Sequence, residues 1–98
     1  MDVAFTFIYD EETCRCQFII VNNKTNEGFC LNQLYPKPHL LSIFHSIRKY
    51  LPLTPFDFHY TIVGKNIKMS RSQIWTIKQV ENMITTVSQK KMLSLTYR

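Results

Sequence analysis

Val3-Ala4-Phe5-Thr6-Phe7-Ile8-Tyr9, then Asp10-Glu11-Glu12-Thr13, then Cys14-Arg15-Cys16-Gln17-Phe18-Ile19-Ile20-Val21 is the stretch that decides the fold. Val3, Phe5, Phe7 and Tyr9 alternate with Ala4, Thr6 and Ile8, the period of two that puts large apolar side chains on one face of a strand. Cys16, Phe18 and Ile20 repeat the pattern against Gln17, Ile19 and Val21. The polar tetrad between the two runs supplies a turn, so the chain opens on a hairpin.

Outward from the hairpin, Asn22 to Asn26 are residues that tolerate turns. Residues 28–37 carry no clear period and read as irregular, because Pro36 and Pro38 keep a helix from crossing them. Pro38 suits a first helical turn, and Leu40, Ile43, Phe44, Ile47, Tyr50 and Leu51 then recur at helical spacing until Pro52 and Pro55. Phe56, Phe58, Tyr60 and Ile62 alternate as a strand, and Gly64-Lys65-Asn66 reverses it into a short strand over residues 67–69. Ser70 with Gln73, or Ser72 slightly later, offers a helix N-cap. The helix that follows places Ile74, Ile77, Val80, Met83, Ile84 and Val87 on one stripe. After Gln89-Lys90-Lys91, the alternation of Leu93, Leu95 and Tyr97 predicts a last strand.

The order ββαββαβ predicts an α+β domain, a mixed sheet with two helices on one face. A hairpin followed by a crossover helix brings a later strand parallel to the first, and the last strand is expected beside it at the sheet centre. That arrangement is a β-grasp. A ferredoxin-like arrangement, the main rival, has to discard one of the two opening strands.

Ninety-eight residues with 45% hydrophobic and 13% aromatic content make one domain over residues 1–98 with a real core. Lys and Arg outnumber Asp and Glu by 12 to 7, a net charge of +5 that favours acidic partners. The acids cluster early, at Asp10, Glu11, Glu12 and Glu27, a polarity that would let copies stack head to tail. The first apolar run is too short for a signal sequence and no run approaches a membrane span, so an intracellular, non-membrane protein is expected.

No motif points to a catalytic site, a cofactor or a metal. Cys14-x-Cys16 lies in a strand, and structural zinc sites favour two to four residues between ligands, so these thiols and Cys30 read as small apolar side chains. Neither His39 nor His45 near Cys30 comes with an orienting group or an oxyanion hole, so the chain reads as a non-enzyme.

The run Phe56-Asp57-Phe58-His59-Tyr60-Thr61-Ile62-Val63-Gly64-Lys65-Asn66-Ile67-Lys68-Met69, the helical stretch after Ser70 and the terminal alternation resemble a Phox/Bem-type interaction domain. That family consists of ubiquitin-like adaptor modules, so the resemblance implies a β-grasp and a role in assembly. Its members pair front to back, a lysine on the first strand meeting an acidic loop. This chain departs from both: Lys65, Lys68 and Arg71 stand where the acidic loop lies, and residues 3–9 contain no lysine. The opening hairpin with its acidic turn is also similar to the Dishevelled–Axin domain, a polymer-forming relative.

The expected function is protein–protein interaction, an adaptor or scaffold domain with a homotypic or heterotypic partner. Lys65, Lys68 and Arg71 are expected to meet an acidic surface, a partner's or the Asp10-Glu11-Glu12 turn of another copy. Trp75, read as one turn into its helix beside Arg71, is a candidate anchor. His59, Ile8 and Ile19 are expected on the sheet face away from the helices, as contact residues. The second reading is a small basic nucleic-acid-binding protein using the same cations.

Overall fold

The opening alternation becomes β1 (Val3–Asp10), whose odd-numbered side chains are all buried, and β2 (Arg15–Asn22) pairs with it antiparallel, Phe7 opposite Phe18. The computed structural model describes residues 2–89. A second turn closes where Asn22 Oδ1 accepts the N–H groups of Lys24 and Thr25 and Asn26 adopts a φ of 59°. It leads into β3 (Glu27–Leu34), antiparallel to β2. The sequence suggests irregular chain from residue 28, and the difference has a physical reason. Only Phe29 and Leu31 are half-buried here, against the core, while Gly28, Cys30, Asn32 and Leu34 face solvent, so an edge strand carries little hydrophobic period.

After a 3-10 turn, α1 (Leu40–Ile47) buries Leu40, Phe44 and Ile47, and a second such turn carries the chain on to Tyr50. β4 (Phe56–Gly64) then runs parallel to β1, with Phe5 opposite Phe58. The crossover helix thus delivers the parallel strand expected of it. β5 (Ile67–Trp75) returns antiparallel to β4 and is far longer than residues 67–69. The helix expected from Ser70 begins later, as α2 (Ile77–Ser88). Two S/T-x-x-Q stretches compete for this start, Ser70 with Gln73 and Thr76 with Gln79. The second forms the capping box, Gln79 Oε1 accepting the Thr76 N–H at 2.9 Å. The first is drawn into the sheet, because pairing along all of β4 puts Ile67, Met69 and Trp75 on the core.

The sheet order is β3-β2-β1-β4-β5, mixed, with both helices packed on one face and a single core cluster between. Phe5 lies at its centre, its ring centroid 5.8 Å from Phe18, 5.2 Å from Phe58 and 6.2 Å from Phe44. Val80, Met83, Ile84 and Val87 close it from α2, at the spacing of one helical stripe. Over the described residues the order is therefore βββαββα. The expected last strand at 93–97 lies outside them. The place beside β1 that it was expected to fill is taken by β4, since β1 already has β2 and β4 as neighbours.

Among the described residues, two carboxylates fasten the periphery through three pairs. Glu81 of α2 meets His45 Nε2 at 3.0 Å and Arg48 at 3.2 Å, joining the helices. Lys37, only 7% exposed, meets Glu11 at 2.9 Å and ties the turn before α1 to the turn after β1.

Candidate functional site

Because both helices cover one face, every second residue of five strands is left on the other. The strand registers arrange these residues in four rows that can be read straight across the sheet. The first is Gly28–Val21–Ala4–Asp57–Ile74 and the second Cys30–Ile19–Thr6–His59–Ser72. The third is Asn32–Gln17–Ile8–Thr61–Ser70 and the fourth Leu34–Arg15–Asp10–Val63–Lys68. No described element lies over them.

The face has internal order. Val21, Ile19, Ile8 and Val63 form a diagonal apolar stripe across β2, β1 and β4, each a row further along, within the reach of diagonal neighbours. Polar pairs flank it. His59 Nδ1 hydrogen-bonds Ser72 Oγ, and Thr61 Oγ1 and Ser70 Oγ lie 2.9 Å apart. On the far side Arg15 donates to Asn32 Oδ1 at 3.3 Å. Formal charges cancel, Arg15 and Lys68 against Asp10 and Asp57, and none of the rows contains an aromatic residue. Leu34 and Ile74, at two corners, are 60% and 59% exposed.

Ile8, Ile19 and His59 thus come together where the sequence reading puts them, on the open face. Trp75 does not lie on a helix. It ends β5 on the core side, half-buried and stacked on Phe58 at 5.6 Å and Tyr60 at 6.3 Å, so its indole serves packing. Nor do the cations form one patch. Lys68 lies in the fourth row of the open face, whereas Arg71, an odd step away in the same strand, projects to the helix side opposite Tyr60. Burial raises the Tyr60 pKa, and the nearby Arg71 charge offsets part of that rise. Lys65 sits in the turn between β4 and β5.

The acidic turn is largely engaged within the molecule. Asp10 Oδ1 accepts the N–H groups of Glu12 at 3.0 Å and Thr13 at 3.4 Å, and Glu11 pairs with Lys37. Glu12 alone of the three is fully turned to solvent. Moreover, Asp10 is level with Val63 across the parallel β1–β4 pair, and the Glu11 N–H donates to Val63 O at 2.8 Å. The acidic turn and the Lys65 turn therefore share one end of the sheet. The charge polarity of the sequence is not a head-to-tail polarity in space.

The cysteines are dispersed. Cys16 is in the core, where burial pushes its thiol up to about 12, Cys14 is half-buried in a turn at φ 60°, and Cys30 is exposed on the open face. Among the described residues no cluster of three His, Cys, Asp or Glu side chains is placed to hold a metal. No described helix is long and apolar enough to cross a membrane.

One surface escapes sequence reading. Arg48, Lys49, Lys78 and Glu81 rim a shallow groove over Leu51, Leu53 and Ile77. Leu53 is 92% exposed between Pro52 and Pro55. The flanking prolines are the only signal in sequence, since a lone apolar residue in a loop is commonplace.

No protein-family model matches this chain, and neither the curated proteins nor the solved structures yield a match.

Proposed function

We propose that this chain is a non-enzymatic protein–protein interaction domain that receives a partner on its open sheet face. The observation that carries the reading is the apolar diagonal Val21–Ile19–Ile8–Val63 on a charge-balanced face that no described element covers. Strand rise and spacing give the diagonal a length of about 22 Å. An amphipathic helix of about 15 residues, at its usual rise, matches that length with one apolar ridge. The flanking Thr, Ser, Gln and Asn side chains suit a polar rim around such a contact.

The Phox/Bem-type, ubiquitin-like reading is the finer proposal within this class. The hairpin, the crossover helix and the parallel β4 support it, and the added β3 and the neighbours of β1 stand apart from it. Nucleic-acid binding is the weaker reading on geometry. It wants cations interleaved with exposed aromatics on one surface, whereas the open face has no aromatic and Lys68 and Arg71 project to opposite sides.

A photoreactive side chain placed at Thr6 tests the proposal. A discrete protein adduct is expected from the wild-type surface and not from the Ile8→Lys/Ile19→Lys variant, with circular dichroism unchanged. Equal adduct yield from the two proteins removes the open face as the interface.

A further inference from the structure

Among the described strands, β3 is an edge of unusual character. Tyr35 donates its N–H to Cys14 O at 2.7 Å, which fixes the phase of the β2–β3 ladder. By the alternation of an antiparallel pair, the odd-numbered residues of β3 bond to β2. Gly28, Cys30, Asn32 and Leu34 consequently aim their N–H and C=O groups outward, where no described strand lies. Natural edge strands are normally blunted by charge, proline or a bulge. From Gly28 to Leu34 there is no charged residue and no proline, and the one-to-one register with β2 is unbroken over eight pairs. The opposite edge is guarded, since β5 carries Lys68 and Arg71.

From this contrast we infer that β3 pairs antiparallel with β3 of a second copy, about a two-fold axis at Cys30. The occupant is a second copy because this strand is complementary to itself. Pairing about Cys30 sets Phe29 opposite Leu31 of the other copy, twice, on the helix side, where both are now only half-buried. Aromatic–aliphatic pairs of this kind stabilise neighbouring strands. The Phe29 ring is already held from behind by Tyr50, with centroids 4.7 Å apart. Sliding the copies to centre on Leu31 would set Phe29 opposite Gln33 and lose both pairs. Two β5 edges would instead bring like charges together. The described strands of the two copies then form one continuous ten-stranded sheet, closed by the two-fold axis, with both open faces on the same side.

Analytical ultracentrifugation of the full chain across concentration, without any partner, gives a first readout that does not depend on the open-face proposal. A monomer–dimer equilibrium is expected. Cys30 supplies the second readout, because it is the exposed thiol while Cys14 is half-buried and Cys16 buried. A short thiol–thiol cross-linker should join Cys30 to Cys30 in high yield. Cys30→Lys, which sets two like charges at the axis, should weaken the dimer about tenfold or more. Asn32→Pro, which deletes an outward N–H and spares the ladder to β2, should act likewise, and Asn82→Lys, adding the same charge on α2, should not. A monomer at every concentration, growth beyond a dimer, or a dimer indifferent to both edge substitutions overturns the inference.

Discussion

The buried titratable side chains have consequences that can be measured one residue at a time. Cys16, Tyr9 and Tyr60 all sit on the core side of the sheet, and burial raises the pKa of each. The folded protein therefore keeps protons that the unfolded chain gives up. For Cys16 the stability is intact below its ordinary value of about 9 and is lost as pH rises from there through about 12. Urea denaturation should show a loss on the order of 1 kcal/mol per pH unit from that group alone. Cys16→Val should move the onset up towards the ordinary tyrosine range. Constant stability from pH 8 to 10.5 would sink the argument. At the Lys37–Glu11 pair, Glu11→Gln leaves an almost buried ammonium without its carboxylate. A loss of about 1–2 kcal/mol is expected, reduced from the fully buried case because Glu11 itself is partly solvated. Glu11→Gln combined with Lys37→Met should recover most of it, and failure to recover would mean that the pair fixes the turn by geometry.

At the scale of elements, the misplaced helix start carries the clearest test. Thr76→Ala removes the side-chain half of the capping box while keeping the backbone N–H bond to Gln79 Oε1, and should cost about 1 kcal/mol in thermal or chemical denaturation. Ser70→Ala, at the cap the sequence favours, should stay within about 0.5 kcal/mol because Ser70 is an exposed strand residue. The reverse ranking would place the helix start upstream. The two opening strands and β4 are legible from sequence because each buries its apolar face, which imposes a strict period, and α1 because Leu40, Phe44 and Ile47 are buried at helical spacing. β3 is not legible, for it buries half of one face and its alternation is correspondingly faint. The end of β5 is not legible either, because Ser70–Gln73 and Thr76–Gln79 obey the same capping rule. Only the pairing with β4, a tertiary fact, decides between them.

At the scale of the whole molecule, charge order along the chain misleads because a parallel strand pair folds it back. β1 and β4 run the same way, so their C-terminal ends, and the acidic and basic turns that follow, arrive side by side. Ile8, Ile19 and His59 could be placed on the outer face from period alone, whereas Arg71 and Trp75 needed the knowledge that they lie in a strand. The same layout settles what salt should do to self-association. Head-to-tail stacking through the two turns would weaken steeply as ionic strength rises, since exposed charges are screened within about 8 Å at physiological salt. Pairing along the uncharged Gly28–Leu34 edge depends on backbone hydrogen bonds and on the Phe29–Leu31 contacts, which salt hardly screens. The dimer constant should therefore change less than about threefold between roughly 50 and 500 mM salt. Lys65→Glu/Lys68→Glu should leave it equally unmoved, because neither lysine lies near β3. A steep salt dependence, with loss of the dimer on charge reversal, would instead restore the turns as the contact and require the acidic turn to open away from Lys37.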